Sequence, residues 1–236
     1  MKQEDLSGLN GSDLLKLPTN ELFDGFGAGK ASPGSGSAAA LLSLLSAKMV
    51  VTVCDISLRK SECSKDHKAF EFISKKIKTE IEPRLKELFE KDAKDFEKVV
   101  KLRVLRDKSS DSKEKGKYAR ESLDMLQVAT NYTFEVAEIS LALMQHGITI
   151  FEQGWHAVRG DSGVSISAAM SGVMSSIFII NLNLKTLKRR KYSSTNIKKC
   201  QQLQEKLNVL QTRAFSCVTS ISSESLESIQ LELENT

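Results

Sequence analysis

Hydrophobic positions along this chain recur at helical spacing almost throughout, and nowhere is there a sustained alternation of the kind that marks a half-buried strand. The segment Ala38 to Cys54 is apolar on nearly every face, interrupted by Ser43, Ser46, Lys48 and Thr52, and therefore predicts a helix inside a bundle. Its small residues, Ala38, Ala39, Ala40, Ser43 and Ala47, let other helices approach closely. The same segment has the composition of a membrane span, but its marginal length and the mid-way Lys48 argue against one. A long amphipathic pattern then runs from about His67 to Val104, with a stripe of Phe70, Ile73, Ile77, Ile81, Leu85, Leu88, Phe89, Phe96, Val99 and Val100 continuing to Leu105. Pro83 should bend it, and Asp92 falls on the stripe.

Asp107 to Lys117 has no apolar residue and predicts an exposed, mobile loop. A second long helix follows from about Tyr118 to His146 and should stop at Gly147, leaving Ile148 to Gly160 irregular. Asp161 can cap a further helix, Ser162 to about Leu187, whose Ala, Gly, Ser and apolar residues make it a second inner helix. A basic turn, Lys185 to Lys191, leads to a last amphipathic helix from Thr195 or Asn196 into the 220s. Near the other end, Leu14, Leu15 and Leu17 precede Pro18, and Thr19 or Asn20 can cap a short helix through Phe26. The fold class is all-α: one helical bundle over residues 1–236 with two inner helices rich in small residues. Their close-packing surface, more than one small bundle needs, predicts a homodimer.

Composition agrees with this picture. In 236 residues, 40% are hydrophobic, only 6% are aromatic and there are three prolines, a balance that favours helices over sheet. The net charge of +4 is spread as interleaved Lys and Glu, so nothing requires a nucleic-acid partner, and no membrane partner is expected. Four scattered cysteines, Cys54, Cys63, Cys200 and Cys217, and three histidines without ligand spacing argue against structural zinc. The polar start, MKQEDLSGLNGSD, has no apolar core of signal-peptide length, which points to the cytoplasm and free thiols.

Candidate chemistry begins where a Gly/Pro/Ser turn enters the first inner helix. Pro33 fixes a dihedral, Gly34 and Gly36 are permissive, and the Ser37 hydroxyl can cap the turn, so free backbone N–H groups there attract anions and polar ligand edges.

Three motifs carry a family resemblance. They are Pro-Gly-x-Gly-Ser-Ala-Ala at Pro33 to Ala39, Asp-Ala-x-x-Phe at Asp92 to Phe96, and Asp-x-x-Val at Asp161 to Val164, the last on a helix ending in Asn183, Leu184 and Lys185. In this order the chain resembles the formiminotransferase-cyclodeaminase C-terminal family over nearly its full length. The resemblance implies an all-helical, usually dimeric protein acting on one-carbon tetrahydrofolates, either as a formiminotetrahydrofolate cyclodeaminase or as a methenyltetrahydrofolate cyclohydrolase. No permanently bound cofactor is implied, the tetrahydrofolate derivative being the substrate. The chain departs from the family pattern at Ser35, where a glycine is usual, at Gly154-Trp155 and Gly160-Asp161, and at Ile179, where an asparagine is common. These departures motivate the alternative reading, a non-catalytic relative serving as a folate-binding or protein-interaction module.

The implied reactions need one proton carrier, and a carboxylate in a partly apolar pocket suits the task. Asp92 is the candidate catalytic residue, with Leu85, Leu88, Phe89, Phe96 and Val99 on its face and Glu87, Lys91, Asp95 and Lys98 on the polar side; Glu90 is the fallback. The plainer reading of Asp92 is a solvated or lysine-paired carboxylate. Pro33, Gly34, Ser35, Gly36, Ser37, Asp161 and Asn183 are the candidate substrate-binding residues, with helix capping and close packing as the plainer reading of the turn, an N-cap for Asp161 and an interhelical hydrogen bond for Asn183.

Overall fold

A computed structural model describes residues 13–234, with the side chains of 233 and 234 left aside. Residues 1–12, most of the polar start on which the expectation of no leader rests, lie outside the described residues. A short 3₁₀ turn, Leu14–Lys16, precedes α1 (Thr19–Gly27), α2 (Ser35–Ser57), α3 (His67–Lys76), α4 (Glu82–Lys108), α5 (Ser112–Gln153), α6 (Arg159–Thr186) and α7 (Lys191–Glu234). Among the described residues there is no strand, and the helices form a single domain.

The direction of each helix follows from its contacts. Ser43 of α2 meets Ser140 of α5 at 2.6 Å, and a Cβ at Gly172 of α6 would overlap the same Ser43 hydroxyl. At the far end of α2, the Ser57 hydroxyl accepts the Trp155 N–H at 2.9 Å, just before α6 begins. Thus α2 and α6 run antiparallel, α5 runs with α2, and α4 runs against both, its Glu82 ion-paired to Lys48 at 2.6 Å and its Asp92 beside Ser37. The small residues expected to serve a dimer are buried within the chain, Ala39, Ala40, Ser43, Ala47, Ala168, Ala169 and Gly172 among them, with Ala39, Ser43 and Gly172 where α2, α5 and α6 meet. Both α2 and the 156–186 segment are long and apolar enough to cross a membrane, yet they pack against one another here.

Several boundaries differ from expectation, each for a local reason. The 107–117 stretch is helical at both ends. α4 extends through Lys108 and α5 starts at Ser112, capped by the Asp111 carboxylate on the Lys113 N–H at 2.9 Å. Gly147 does not end a helix but makes room for Ile166 and Ser165 of α6, so α5 continues to Gln153. Where a bend was expected, the helix passes through a π turn, Ile77–Ile81, just before Pro83 in the first turn of α4. α6 begins at Arg159, so Asp161 lies within its first turn rather than capping it.

Candidate active site

Gly34 is the N-cap of α2 and brings no side chain to satisfy the helix's first N–H groups. The acceptor comes instead from α4. Asp92 takes the Ser37 backbone N–H and, at 3.0 Å, the Ser37 hydroxyl on Oδ2. Ser37 therefore does not cap its own turn, as its sequence position suggests; its hydroxyl is turned onto a carboxylate 55 residues away. Ser32 fastens the same turn to α4, donating to the Ala93 carbonyl at 2.9 Å.

The fit is close. A Cβ at Gly36 would overlap the Asp92 carboxylate, so glycine is required there by contact rather than by backbone dihedral. Asp92 is 7% exposed and belongs to no ion pair among the described residues. Leu88, Phe89 and Ala93 surround it on α4, with Ala39 and Ala40 from α2 and Val136 from α5 in the same cluster. Burial pushes the carboxyl up from 3.8 to about 6, the two Ser37 hydrogen bonds and the positive end of α2 working against that rise. A carboxyl poised near neutrality can hold or release a proton as a reaction requires.

Other predicted site residues divide into two groups. Pro33, Gly34, Ser35, Gly36 and Ser37 form the turn facing Asp92, with Ser37 in contact and Ser35 exposed at the helix start. Asn183 belongs with them by register. Ile179, one turn before it, packs on the Phe89 and Tyr132 cluster, and Leu187, one turn after it, packs with Val99 and Leu126. The half-buried Asn183 side chain has no hydrogen-bond partner among the described residues, so the expected interhelical bond is absent. Asp161 is not brought to this site. It lies eleven residues before Gly172, and the helical rise from there and along α2 puts it about 25 Å from Asp92 within one chain.

Two residues on the Asp92 side were missed by the pattern. Asp95, assigned to the polar face, has a side chain only 14% exposed, accepting the Tyr132 hydroxyl at 3.0 Å and paired with Lys98 at 2.7 Å. The Asp-x-x-Asp spacing on one helix was the available signal for Asp95; nothing local marked Tyr132. Glu90, the fallback acid, is engaged elsewhere, accepting the Leu15 N–H at 2.9 Å. A groove of about 380 Å³ between α6 and α7, lined by Phe151, Met170 and Phe215, lies at the Asp161 end; its arginine, Arg159, is tied to Glu224 at 2.8 Å. Its lining includes no carboxylate and no imidazole.

Comparison with known proteins bears on this arrangement. The chain is 25% identical over 217 residues to the methenyltetrahydrofolate cyclohydrolase of Methylorubrum extorquens, a match covering 86% of this chain and 96% of that protein. Its fold superposes on the crystal structure of the formiminotetrahydrofolate cyclodeaminase from Thermotoga maritima with a TM-score of 0.76, at 17% identity, over 89% of this chain and 99% of that one. Residues 18–202, from the start of α1 into α7, match the formiminotransferase-cyclodeaminase family, and the chain belongs to that family.

Proposed function

We propose that this chain is a cytoplasmic one-carbon folate enzyme in which Asp92 moves the proton, acting as a methenyltetrahydrofolate cyclohydrolase or a formiminotetrahydrofolate cyclodeaminase. The observation that carries the reading is the buried Asp92 carboxyl, poised at about 6 against Gly36 and Ser37. In hydrolysis, ionised Asp92 takes a proton from the water that adds to the methenyl carbon and returns it to the ring nitrogen as the carbon–nitrogen bond breaks, while the remaining hydroxyl proton of the adduct leaves to solvent as the formyl C=O forms. In cyclodeamination, the second nitrogen closes on the formimino carbon while its own proton passes to the imine nitrogen, and protonated Asp92 then delivers its proton to the resulting amine as the carbon–amine bond breaks and ammonia leaves. A carboxyl near 6 supplies both forms at neutral pH. The 33–37 turn and Asn183, whose amide is free, hold the substrate's polar edge.

A homodimer is part of the reading. Leu45 on α2 and Val164, Met174, Phe178 and Leu182 on α6 are exposed, leaving the two inner helices with an apolar outer face that a second copy can cover. The relation to the cyclohydrolase and the shared fold support the substrate class. The test is the loss of methenyl absorbance, and separately the release of ammonia from formiminotetrahydrofolate, by the purified protein and by Asp92→Asn. Turnover in one assay that falls about 10²-fold or more in the variant is the expected result. Tight folate binding without turnover in either assay would favour the non-catalytic relative, and equal turnover by parent and variant would remove Asp92 from the mechanism.

A further inference from the structure

Asp92 and Asp95 sit three residues apart on α4, one turn of a helix whose middle is packed against α2 and α5. Their surroundings differ sharply. Asp92 touches only the uncharged donors of Ser37 and the aliphatic and aromatic side chains around it. Asp95 is held on both oxygens, Oδ2 by the Tyr132 hydroxyl and Oδ1 by the Lys98 ammonium. The phenol donor and the cation fix where the Asp95 carboxylate sits, whereas the Asp92 carboxyl, buried among hydrocarbon, keeps its proton longer. Other charges near α4 are engaged elsewhere: Arg84 with Glu135 and Glu87, Lys91 with Glu87, and Glu90 with the Leu15 N–H. Among the described residues no charged side chain of α2 or α6 contacts Asp92, so Asp95 is the charge it feels.

We infer that Asp95, fixed by Tyr132 and Lys98, is a positioning residue: its carboxylate, one helical turn from Asp92, adds to the burial that keeps the proton on Asp92. The inference rests on the proposed role of Asp92 but concerns its titration, which can be read without turnover. Pairs of carboxyls whose environments push their proton affinities apart divide acid and base roles in this way. Lys98 is half-exposed, so it is the adjustable member; removing its charge lets Asp95 act on Asp92 at full strength. Tyr132 also fills the wall beside Ile179, tying the setting of Asp95 to the packing of α6.

The test follows the Asp92 carboxyl carbon by NMR titration in parent, Asp95→Asn and Lys98→Met protein. Opposite shifts are expected: Asp95→Asn lowers the Asp92 midpoint by about half a pH unit or more, and Lys98→Met raises it by a smaller amount. Where turnover is measurable, the limb of the pH–rate profile belonging to Asp92 moves with the NMR midpoint. Coincident midpoints in all three proteins, or shifts of the same sign in both variants, overturn the inference. An Asp95→Asn protein that does not fold leaves Lys98→Met, a surface change, to decide by the presence or absence of an upward shift. A parent without turnover whose Asp92 midpoint still shifts as stated refutes the enzymatic reading while sustaining the coupling.

Discussion

Replacing Asp92 with asparagine removes a titration that the fold makes costly, and the cost can be worked out. The folded protein raises the carboxyl from 3.8 to about 6, so between those values the folded state binds protons that the unfolded chain has released. The favourable contribution of protonated Asp92 is complete below the unfolded value and is lost as pH rises through the folded one. At 1.36 kcal/mol per pH unit the loss is about 3 kcal/mol by pH 8, and about 2 to 3 kcal/mol of it falls between pH 4 and pH 8. The amide of the Asp92→Asn variant does not titrate, so the variant should gain that amount on the parent across the same interval. Every other group titrates in both proteins and cancels in the difference. At about 2–4 °C per kcal/mol for a chain of this size, the melting temperatures should diverge by about 5–10 °C. Urea melts of both proteins at the two pH values measure the difference directly. A stability gap between parent and variant that is the same at pH 4 and pH 8 refutes the reasoning, because it means that Asp92 titrates in the folded protein as it does in the unfolded chain.

Three other variants probe the same architecture. Gly36→Ala places a methyl on the Asp92 carboxylate, so it should cost about 1–3 kcal/mol and most of the turnover, and adding Asp92→Ala, which removes the overlap and keeps a helix former in α4, should recover part of the stability without activity; a silent Gly36→Ala, read by melts and turnover, contradicts the contact. Phe178→Glu charges the exposed face of α6 and should convert dimer to monomer in sedimentation velocity, unless that face is not the interface. Ser57→Ala strips the Trp155 N–H of its acceptor at the far end of α2, so it should lower stability by about 1–2 kcal/mol while leaving turnover intact; a large loss of turnover would mean that the site extends to that end.

Much of the fold was legible along the chain because it depends on periodicity. The apolar run of α2 and the small residues of α6 can be recognised as buried without knowing their neighbours, and both proved to be inner helices. Asp92 was legible for the same reason, as a charge on an apolar stripe, and the Gly-Ser turn as a helix start. What the chain could not disclose was partnership. Gly147 resembles a stop signal because a helix end and a close crossing both call for glycine, and only the position of Ile166 decides between them. Ser37 looks like a cap until α4 brings Asp92 within reach of its hydroxyl, and Asp95 looks solvated until α5 brings Tyr132. Asp161 reads as part of the same site because family motifs have order but no distance, and the antiparallel run of α2 and α6 carries it to the other end of the bundle. Spacing along one helix fixes which face a residue shares, since that geometry is local. Which groups meet, and so which carboxyl is desolvated and which is held by a donor, depends on contacts between helices far apart in sequence, and only the packed bundle sets those.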